Sequence, residues 1–296
     1  MPAAEHTVIS VLRGAADWLS RRGVDAPQRS AELLLGHVLG LDRLQLYLAH
    51  DRPLDEVERG AMRALLVRRG DGEPVAYLLG SWSFRGHELA VDRAVLVPRP
   101  ETEALVDIAL ELAPVGARVV DLGTGSGAIA LALAIERPDL AVTAVDVSEN
   151  ALAVARRNAA ALGVEARVTF ARGSWWEALD ASGGAGEPGF DLVVSNPPYV
   201  DPDSPELAAD VRAFEPPLAL FAERGDPASC YRAIVAGLPR HLRPGGAVVL
   251  ETGVGASAPA LGVLQQSEVL TAVELRRDVA GIDRYLVARR AVEAPG

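Results

Sequence analysis

From residue 117 onward, short apolar runs alternate with helical segments, and this alternation is the feature that most limits the possible folds. Such a pattern is typical of an α/β fold, in which helices cover both faces of a mostly parallel sheet. Seven strands are predicted, in the segments ARVVDLG, AVTAVDV, ARVTFA, FDLVVSN, GAVVLET, TAVELRRD and DRYLVARR. The last two are separated only by VAGI, so the seventh strand is predicted to run antiparallel to its neighbour.

A different pattern precedes the sheet. Apolar residues recur at helical spacing from Thr7 to about Arg69, and aromatic and β-branched residues then surround Arg85-Gly86, which predicts a hairpin. We therefore divide the chain into a helical N-terminal domain at 1–75, a β-hairpin connector at 76–100 and an α/β domain at 101–296. Within the α/β domain, the composition of residues 180–189 predicts a flexible loop.

Composition narrows the class of protein. The 296 residues are 49% hydrophobic and 23% charged, which is a globular composition. Cys230 is the single cysteine, so an intramolecular disulfide and a cysteine-built zinc site are excluded, and a reducing cytoplasm is the expected location. The beginning of the sequence lacks the pattern of an export signal, and no run approaches the ~20 apolar residues of a membrane helix.

Charge and histidine content exclude further functions. The formal charge of −11 disfavours a long, sequence-independent grip on phosphates, so we expect no stable binding to nucleic acid. The five histidines are scattered without the spacing of metal ligands, and we expect no metal site. Neither a membrane nor a metal is therefore part of the predicted function.

The segment VVDLGTGSGAIAL leads from a buried strand through a glycine turn into a helix. We call residues Gly123–Gly127 the glycine turn; its glycines permit positive φ and close approach of the backbone to a ligand. The spacing is G-x-G-x-G, whereas the pyrophosphate-binding turn of dinucleotide enzymes has G-x-G-x-x-G. Asp121 at the strand end would also repel a phosphate. A cofactor with a positive sulfonium and an amino-acid tail fits this turn better than a dinucleotide.

Asp146 ends the next predicted strand, where an acidic side chain can accept hydrogen bonds from the hydroxyls of a ribose. The alternatives are purely structural roles, in which the glycines serve only to shape a turn and Asp146 serves only to cap the helix that starts near Ser148. The two elements follow successive strands in register, and together they favour a nucleoside cofactor.

The fourth predicted strand ends on Asn196-Pro197-Pro198-Tyr199, which we call the NPPY turn. Prolines fix φ and lack an N–H, so the turn is stiff and its carbonyls have few local donors. The side-chain oxygen of Asn196 and a turn carbonyl can then hold both hydrogens of a planar NH₂ group, while Tyr199 lies against its flat face. The alternative is a rigid turn with a core tyrosine.

These two motifs together resemble the class I S-adenosylmethionine methyltransferases that modify planar nitrogens. The segment EPVAYLLGSWSFRGHELAVDRAVLVPRPETEALV at 73–106, with FEPPLAL at 214–220 and GIDRYLVAR at 281–289, resembles the peptide chain release factor N5-glutamine methyltransferases. The resemblance implies a seven-stranded Rossmann-like sheet with a small helical domain and methylation of the Gly-Gly-Gln glutamine of class 1 release factors. It also implies that the helical domain helps to dock this protein substrate.

The resemblance assigns residues by position. Those it assigns to S-adenosylmethionine are Gly123, Thr124, Gly125, Ser126, Gly127, Asp146, Trp175 and Asn196. Those it assigns to the substrate glutamine are Asn196, Pro197, Pro198 and Tyr199, of which Asn196, Pro197 and Tyr199 are the predicted catalytic residues. From the sequence alone Trp175 could equally be a core residue, because Trp176 competes for its role. One segment, ETGVGASAP at 251–259, departs from the family pattern and receives no role.

The sequence leaves three alternative functions open. A methyltransferase acting on an exocyclic amine of a nucleic-acid base would present the same NH₂ group to the NPPY turn, although the charge of −11 argues against it. A nicotinamide-dependent dehydrogenase could use a similar sheet, but the glycine spacing disfavours it. A binding module without catalysis could keep the cofactor pocket, but it would not need an intact NPPY turn.

Overall fold

A computed structural model describes residues 6–181, 189–205 and 207–292. The predicted loop at 180–189 lies largely outside these residues. The chain divides into two compact units: one holds the residues up to Ser81 together with Ala208–Phe214, and the other holds Trp82–Leu207 and the residues from Glu215 onward. Packing thus groups residues 208–214 with the helical unit. The boundaries of 1–75, 76–100 and 101–296 remain predictions from the sequence.

The elements alternate between helices and strands after the first hundred residues. The helices are α1 Val8–Arg21, α2 Pro27–Leu39, α3 Arg43–Leu48, α4 Glu56–Gly70, α5 Val75–Leu79, α6 Pro100–Leu112, α7 Ala128–Glu136, α8 Glu149–Ala161, α9 Glu177–Ala181, α10 Ala209–Phe214, α11 Pro217–Leu220, α12 Ser229–His241 and α13 Ser257–Gln265. The strands are β1 Ser81–Phe84, β2 His87–Ala90, β3 Arg118–Leu122, β4 Ala141–Asp146, β5 Val168–Arg172, β6 Phe190–Ser195, β7 Leu242–Glu251, β8 Leu270–Arg277 and β9 Asp283–Arg290.

The helical unit has its own apolar core. Leu12, Leu34, Leu35 and Leu46 are buried within it, and helical spacing aligns them on the inner faces of α1, α2 and α3. Capping boxes start α3 and α4, because each begins with an aspartate whose side chain accepts a backbone N–H three residues later. The predicted helical region is confirmed.

The other unit is built on a seven-stranded sheet with the order β5-β4-β3-β6-β7-β9-β8. Strands β3 to β7 pair in parallel, and β9 pairs antiparallel with both β7 and β8. The α/β prediction, the seven strands and the antiparallel direction of the last strand are therefore confirmed. The inner strands are buried almost throughout, as expected of a sheet covered on both faces.

The order of the strands determines where a ligand can bind. From β3 the chain moves outward through β4 to β5, and β6 then returns to the opposite side of β3, where Asp121 is in register with Val194. Such a reversal opens a crevice at the carboxyl ends of the strands. The glycine turn follows β3 and the NPPY turn follows β6, so the two motifs flank this crevice.

Candidate active site

Three glycines shape the backbone of the glycine turn at the edge of the crevice. Gly123, Gly125 and Gly127 have φ of 78°, 57° and 84°, a left-handed conformation that glycine adopts without strain. The N–H groups of Gly123 and Thr124 both donate to the carbonyl of Val145, at 2.8 and 2.9 Å. The turn is thereby held against the end of β4.

Asp146, the last residue of β4, supports the same turn. Its Oδ2 accepts the N–H of Gly125 at 2.9 Å, and its Oδ1 accepts the N–H of Ser148 at 2.8 Å. Burial raises the pKa of Asp146, and these backbone hydrogen bonds oppose the rise. Each carboxylate oxygen has a second lone-pair direction, so Asp146 can hold the turn and still accept hydrogen bonds from a ligand.

A cavity of about 350 Å³ lies at this edge of the sheet, within the range of small-molecule sites. Of the predicted site residues, those that line it are Gly123, Thr124, Gly125, Ser126, Asp146, Trp175, Asn196 and Pro198. Gly127, which precedes α7, and Pro197 and Tyr199 are not among the lining residues. The structure thus brings most of the residues predicted for the cofactor into one cavity.

The two adjacent tryptophans have different environments. Trp175 lines the cavity and has a φ of 51°, unusual for a bulky residue. Trp176 is buried: its ring nitrogen donates to the carbonyl of Ile234 at 2.9 Å, and its ring stacks on His241 at 4.7 Å. Trp176 is therefore a core residue, and Trp175 is the one available to a ligand.

The NPPY turn is supported from behind by polar groups. The Nδ2 of Asn196 donates to Oγ1 of Thr102 at 3.3 Å. Hydrogen bonding from the side chains of both residues lowers the pKa of Glu251, in opposition to burial, which raises it. Tyr199 packs so closely on Gly253 that a Cβ at that glycine would overlap its ring. Burial raises the pKa of the Tyr199 phenol, which therefore stays neutral near pH 7.

Several cavity residues received no role from the sequence. Arg99 brings a positive charge to the lining, and its Nη2 forms an ion pair of 2.7 Å with Glu215, which is buried. Thr102, Pro216 and Leu218 also line the cavity. The segments PRPETE and FEPPLAL supplied the resemblance but gave no indication of where their side chains would lie.

Asp121 lies outside the cavity. It is fully buried at the end of β3, where its Oδ2 accepts the hydroxyl of Thr124 at 2.6 Å and the N–H of Ala130 at 3.2 Å. Burial raises its pKa to about 7. Asp121 thus connects the glycine turn to the first turn of α7.

Within the described ranges, no group of three or more histidine, cysteine, aspartate or glutamate side chains is arranged to hold a metal ion. No helix in the same part of the chain combines the length and the apolar character needed to cross a membrane.

A parallel sheet with an antiparallel seventh strand, a glycine turn after β3 and an acid at the end of β4 define the class I methyltransferases. A methyltransferase from Pyrococcus furiosus has a similar fold, with a TM-score of 0.51 over 78% of this chain and 98% of that chain at 18% identity. Residues 101–225 match the model of the methyltransferase small domain, and residues 10–80 match that of the PrmC N-terminal domain.

Full-length relatives identify the family. The release factor glutamine methyltransferase of Chlorobaculum tepidum is 43% identical over 95% of this chain and 96% of its own length. The protein of the same name from Nitratidesulfovibrio vulgaris is 42% identical over 98% of this chain and 97% of its own length. The chain belongs to the release factor glutamine methyltransferase family.

Proposed function

We propose that this protein transfers a methyl group from S-adenosylmethionine to the side-chain amide nitrogen, N5, of a glutamine in class 1 peptide chain release factors. The glutamine is that of the Gly-Gly-Gln motif. The observation that carries the proposal is the side chain of Asn196, held at the rim of the cavity by hydrogen bonds on its nitrogen side. Membership in the release factor glutamine methyltransferase family supports the same substrate.

The cavity residues fit S-adenosylmethionine, which supplies a methyl group on a positively charged sulfur when it is bound. The glycine turn would accommodate the methionine part, because its three glycines carry no side chain that would fill the space. Asp146 would accept the ribose hydroxyls, and the ring of Trp175 would lie beside the adenine. Arg99 would offer its guanidinium to the cofactor carboxylate.

The NPPY turn would orient the acceptor. An amide nitrogen is a poor nucleophile, because its lone pair is delocalised into the carbonyl. The Oδ1 of Asn196 and the carbonyl of Pro197 would accept the two N–H groups, stabilise the positive charge that develops on the nitrogen, and hold it in line with the methyl group. Tyr199 would pack on the flat face of the amide and exclude water. Pro198, at the cavity lining, stiffens the turn.

The helical domain, predicted at 1–75, would contribute to docking the release factor. Its folded core and its match to the PrmC N-terminal domain support this part of the proposal. The expected cytoplasmic location agrees with a substrate that acts in translation.

A methyl-transfer assay with labelled S-adenosylmethionine tests the proposal against methylation of a nucleic-acid base. Three acceptors are compared: a class 1 release factor, the same factor with its Gly-Gly-Gln glutamine replaced by alanine, and total cellular nucleic acid. We expect label on the intact factor and none on the other two. Label on nucleic acid alone would contradict the proposal. It would indicate that the NPPY turn binds the exocyclic amine of a base instead of a glutamine amide.

A further inference from the structure

Glu251 lies beside the NPPY turn and has no part in the proposed reaction as described above. It is the last residue of β7, and β7 pairs in parallel with β6 so that Leu250 is in register with Ser195. Glu251 therefore lies next to Asn196 at the carboxyl edge of the sheet. It is 2% exposed and does not line the cavity, so any effect on the substrate must pass through another residue.

A short chain of hydrogen bonds makes that connection. Nδ2 of Asn196 donates to Oγ1 of Thr102 at 3.3 Å, and hydrogen bonding from the Thr102 and Asn196 side chains lowers the pKa of the adjacent Glu251 carboxyl. An ionised carboxylate only accepts hydrogen bonds. The Thr102 hydroxyl must therefore donate to Glu251, and its oxygen remains to accept the N–H of Asn196. The negative charge on Glu251 therefore determines which group donates and which accepts in each of these hydrogen bonds.

This direction determines which end of the Asn196 amide faces the substrate. The oxygen and nitrogen of a side-chain amide are nearly equal in size, so either orientation fits sterically. With two acceptors behind it, the NH₂ group is held at the rear and Oδ1 faces forward. The reverse orientation would place the donors of Asn196 against the donors of a substrate amide.

From this geometry we infer that Glu251, acting through Thr102, is a positioning residue that fixes the Asn196 amide with its oxygen toward the substrate nitrogen. The inference rests on the proposed function, because it assumes an acceptor group that presents N–H donors to Asn196. It also gives a role to the start of the 251–259 segment, which departs from the family pattern.

Protonation of Glu251 would reverse the direction of these hydrogen bonds, because a protonated carboxyl can donate to Thr102. Burial raises the pKa of Glu251 to about 7, and hydrogen bonds from Thr102 and Asn196 partly oppose this rise. The titratable and charged groups that face it are Glu101 on α6, Tyr199 after β6, Tyr231 on α12, and Arg284 and Tyr285 on β9. The turnover rate should therefore fall as the pH decreases through about 7.

Glu251→Gln is the most informative variant, because it keeps the shape of the side chain and adds donors. Among the described residues, Oε2 of Glu251 has no hydrogen-bond partner. The new amide nitrogen therefore finds its acceptor at Thr102, whose hydroxyl must turn toward Asn196 and favour the reversed amide. The matched control is Glu136→Gln, a paired carboxylate at the end of α7 and outside the cavity lining.

The experiment measures kcat and KM for the release factor, the Kd for S-adenosylmethionine and the pH profile of kcat. We expect Glu251→Gln to lower kcat on the order of 10- to 100-fold, as for removal of a transition-state interaction. The Kd should change less than about twofold, since the Asn196 amide would be misoriented toward the substrate and not toward the cofactor. The acidic decline of kcat should disappear. Glu136→Gln should retain the wild-type rate and pH profile.

Thr102 provides a second test that does not depend on Glu251→Gln folding correctly. Thr102→Val removes the hydroxyl at nearly constant volume and should lower kcat, whereas Thr102→Ser keeps the hydroxyl and should restore it.

Full activity of Thr102→Val, or no rescue by Thr102→Ser, would overturn the inference. So would a Glu251→Gln variant that keeps the wild-type kcat and acidic limb, or one that loses cofactor affinity and kcat equally. Absence of methyl transfer to the release factor by the unmodified enzyme would instead refute the proposed function, and the inference with it.

Discussion

The carboxylate of Asp146 accepts the backbone N–H of Gly125 over 2.9 Å, so a residue that faces the cavity also holds the turn that forms part of its wall. Because Ser148 donates to its other oxygen, both carboxylate oxygens receive backbone donors. Asp146→Asn would place an NH₂ group against one of these donors. We expect weaker binding of S-adenosylmethionine, by at least about tenfold, and a decrease of about 1–3 kcal/mol in the free energy of unfolding.

Calorimetric titration of the cofactor and urea unfolding measure both effects. Asp139→Asn is the matched control: Asp139 also accepts a backbone N–H, from Gly116 at 2.8 Å, but it lies outside the cavity lining. Cofactor affinity that falls equally in both variants would show that the hydrogen bond with Gly125 is not responsible.

Gly253 supports the ring of Tyr199. Because a Cβ at this position would overlap the ring, Gly253→Ala should displace Tyr199 and lower kcat for the release factor. Cofactor affinity should remain close to that of the wild type, since neither residue lines the cavity. Gly262→Ala is the control, because its Cβ would meet nothing within 4 Å and it lies inside α13. Equal kcat for the two variants would exclude a role for the position of Tyr199.

The adjacent tryptophans should separate binding from stability. Trp175→Ala removes the ring at the cavity and should raise the Kd for S-adenosylmethionine with little effect on unfolding. Trp176→Phe removes the hydrogen bond to Ile234 and should cost about 1–3 kcal/mol of stability while cofactor affinity is retained. Titration of intrinsic fluorescence and thermal unfolding of both variants test this pair. If Trp176→Phe alone weakened cofactor binding, Trp176 would be the cofactor-binding residue and Trp175 the core residue.

Stability should decrease as the pH rises from 5 to 8, in part because of Glu251. Its pKa increases from 4.5 to about 7 on folding, so between these values the folded state binds more protons than the unfolded state. The stabilisation is complete at low pH and is lost as the pH rises through 7. Over this range the free energy of unfolding should fall by about 2–3 kcal/mol more in the wild type than in Glu251→Gln. Parallel pH profiles of unfolding would contradict this.

The sequence predicts those features of the site that lie within a continuous segment. The glycine turn, Asp146 and the NPPY turn each follow an apolar strand, and parallel strands bring their carboxyl ends to one edge. The contact between Asn196 and Glu251 joins two segments that are distant in the sequence, so it could not be predicted in the same way. It depends on which strands pair, and the pairing of β6 with β7 has no local signal in either segment.

Local backbone geometry is a second feature of the site that the sequence does not predict. The choice between Trp175 and Trp176 depends on the positive φ of Trp175, which directs neighbouring rings to different environments, and nothing in the string SWW shows it. Similarly, tertiary contacts group α10 with the helical unit, and its own sequence does not show this. Spacing patterns report which face of an element is apolar, but not which surface covers it.

The most direct test of the account is to locate the methyl group and to ask whether Asn196 places it there. Wild type and Asn196→Ala are incubated with a release factor and S-adenosylmethionine; the factor is digested and its peptides are sequenced by mass spectrometry, while cofactor Kd is measured in parallel. We predict a single methyl on the side-chain amide of the Gly-Gly-Gln glutamine with wild type. With Asn196→Ala, the modification should be reduced by about 100-fold or more, while cofactor affinity is largely retained. A methyl on another residue, or equal modification by both enzymes, would contradict the account.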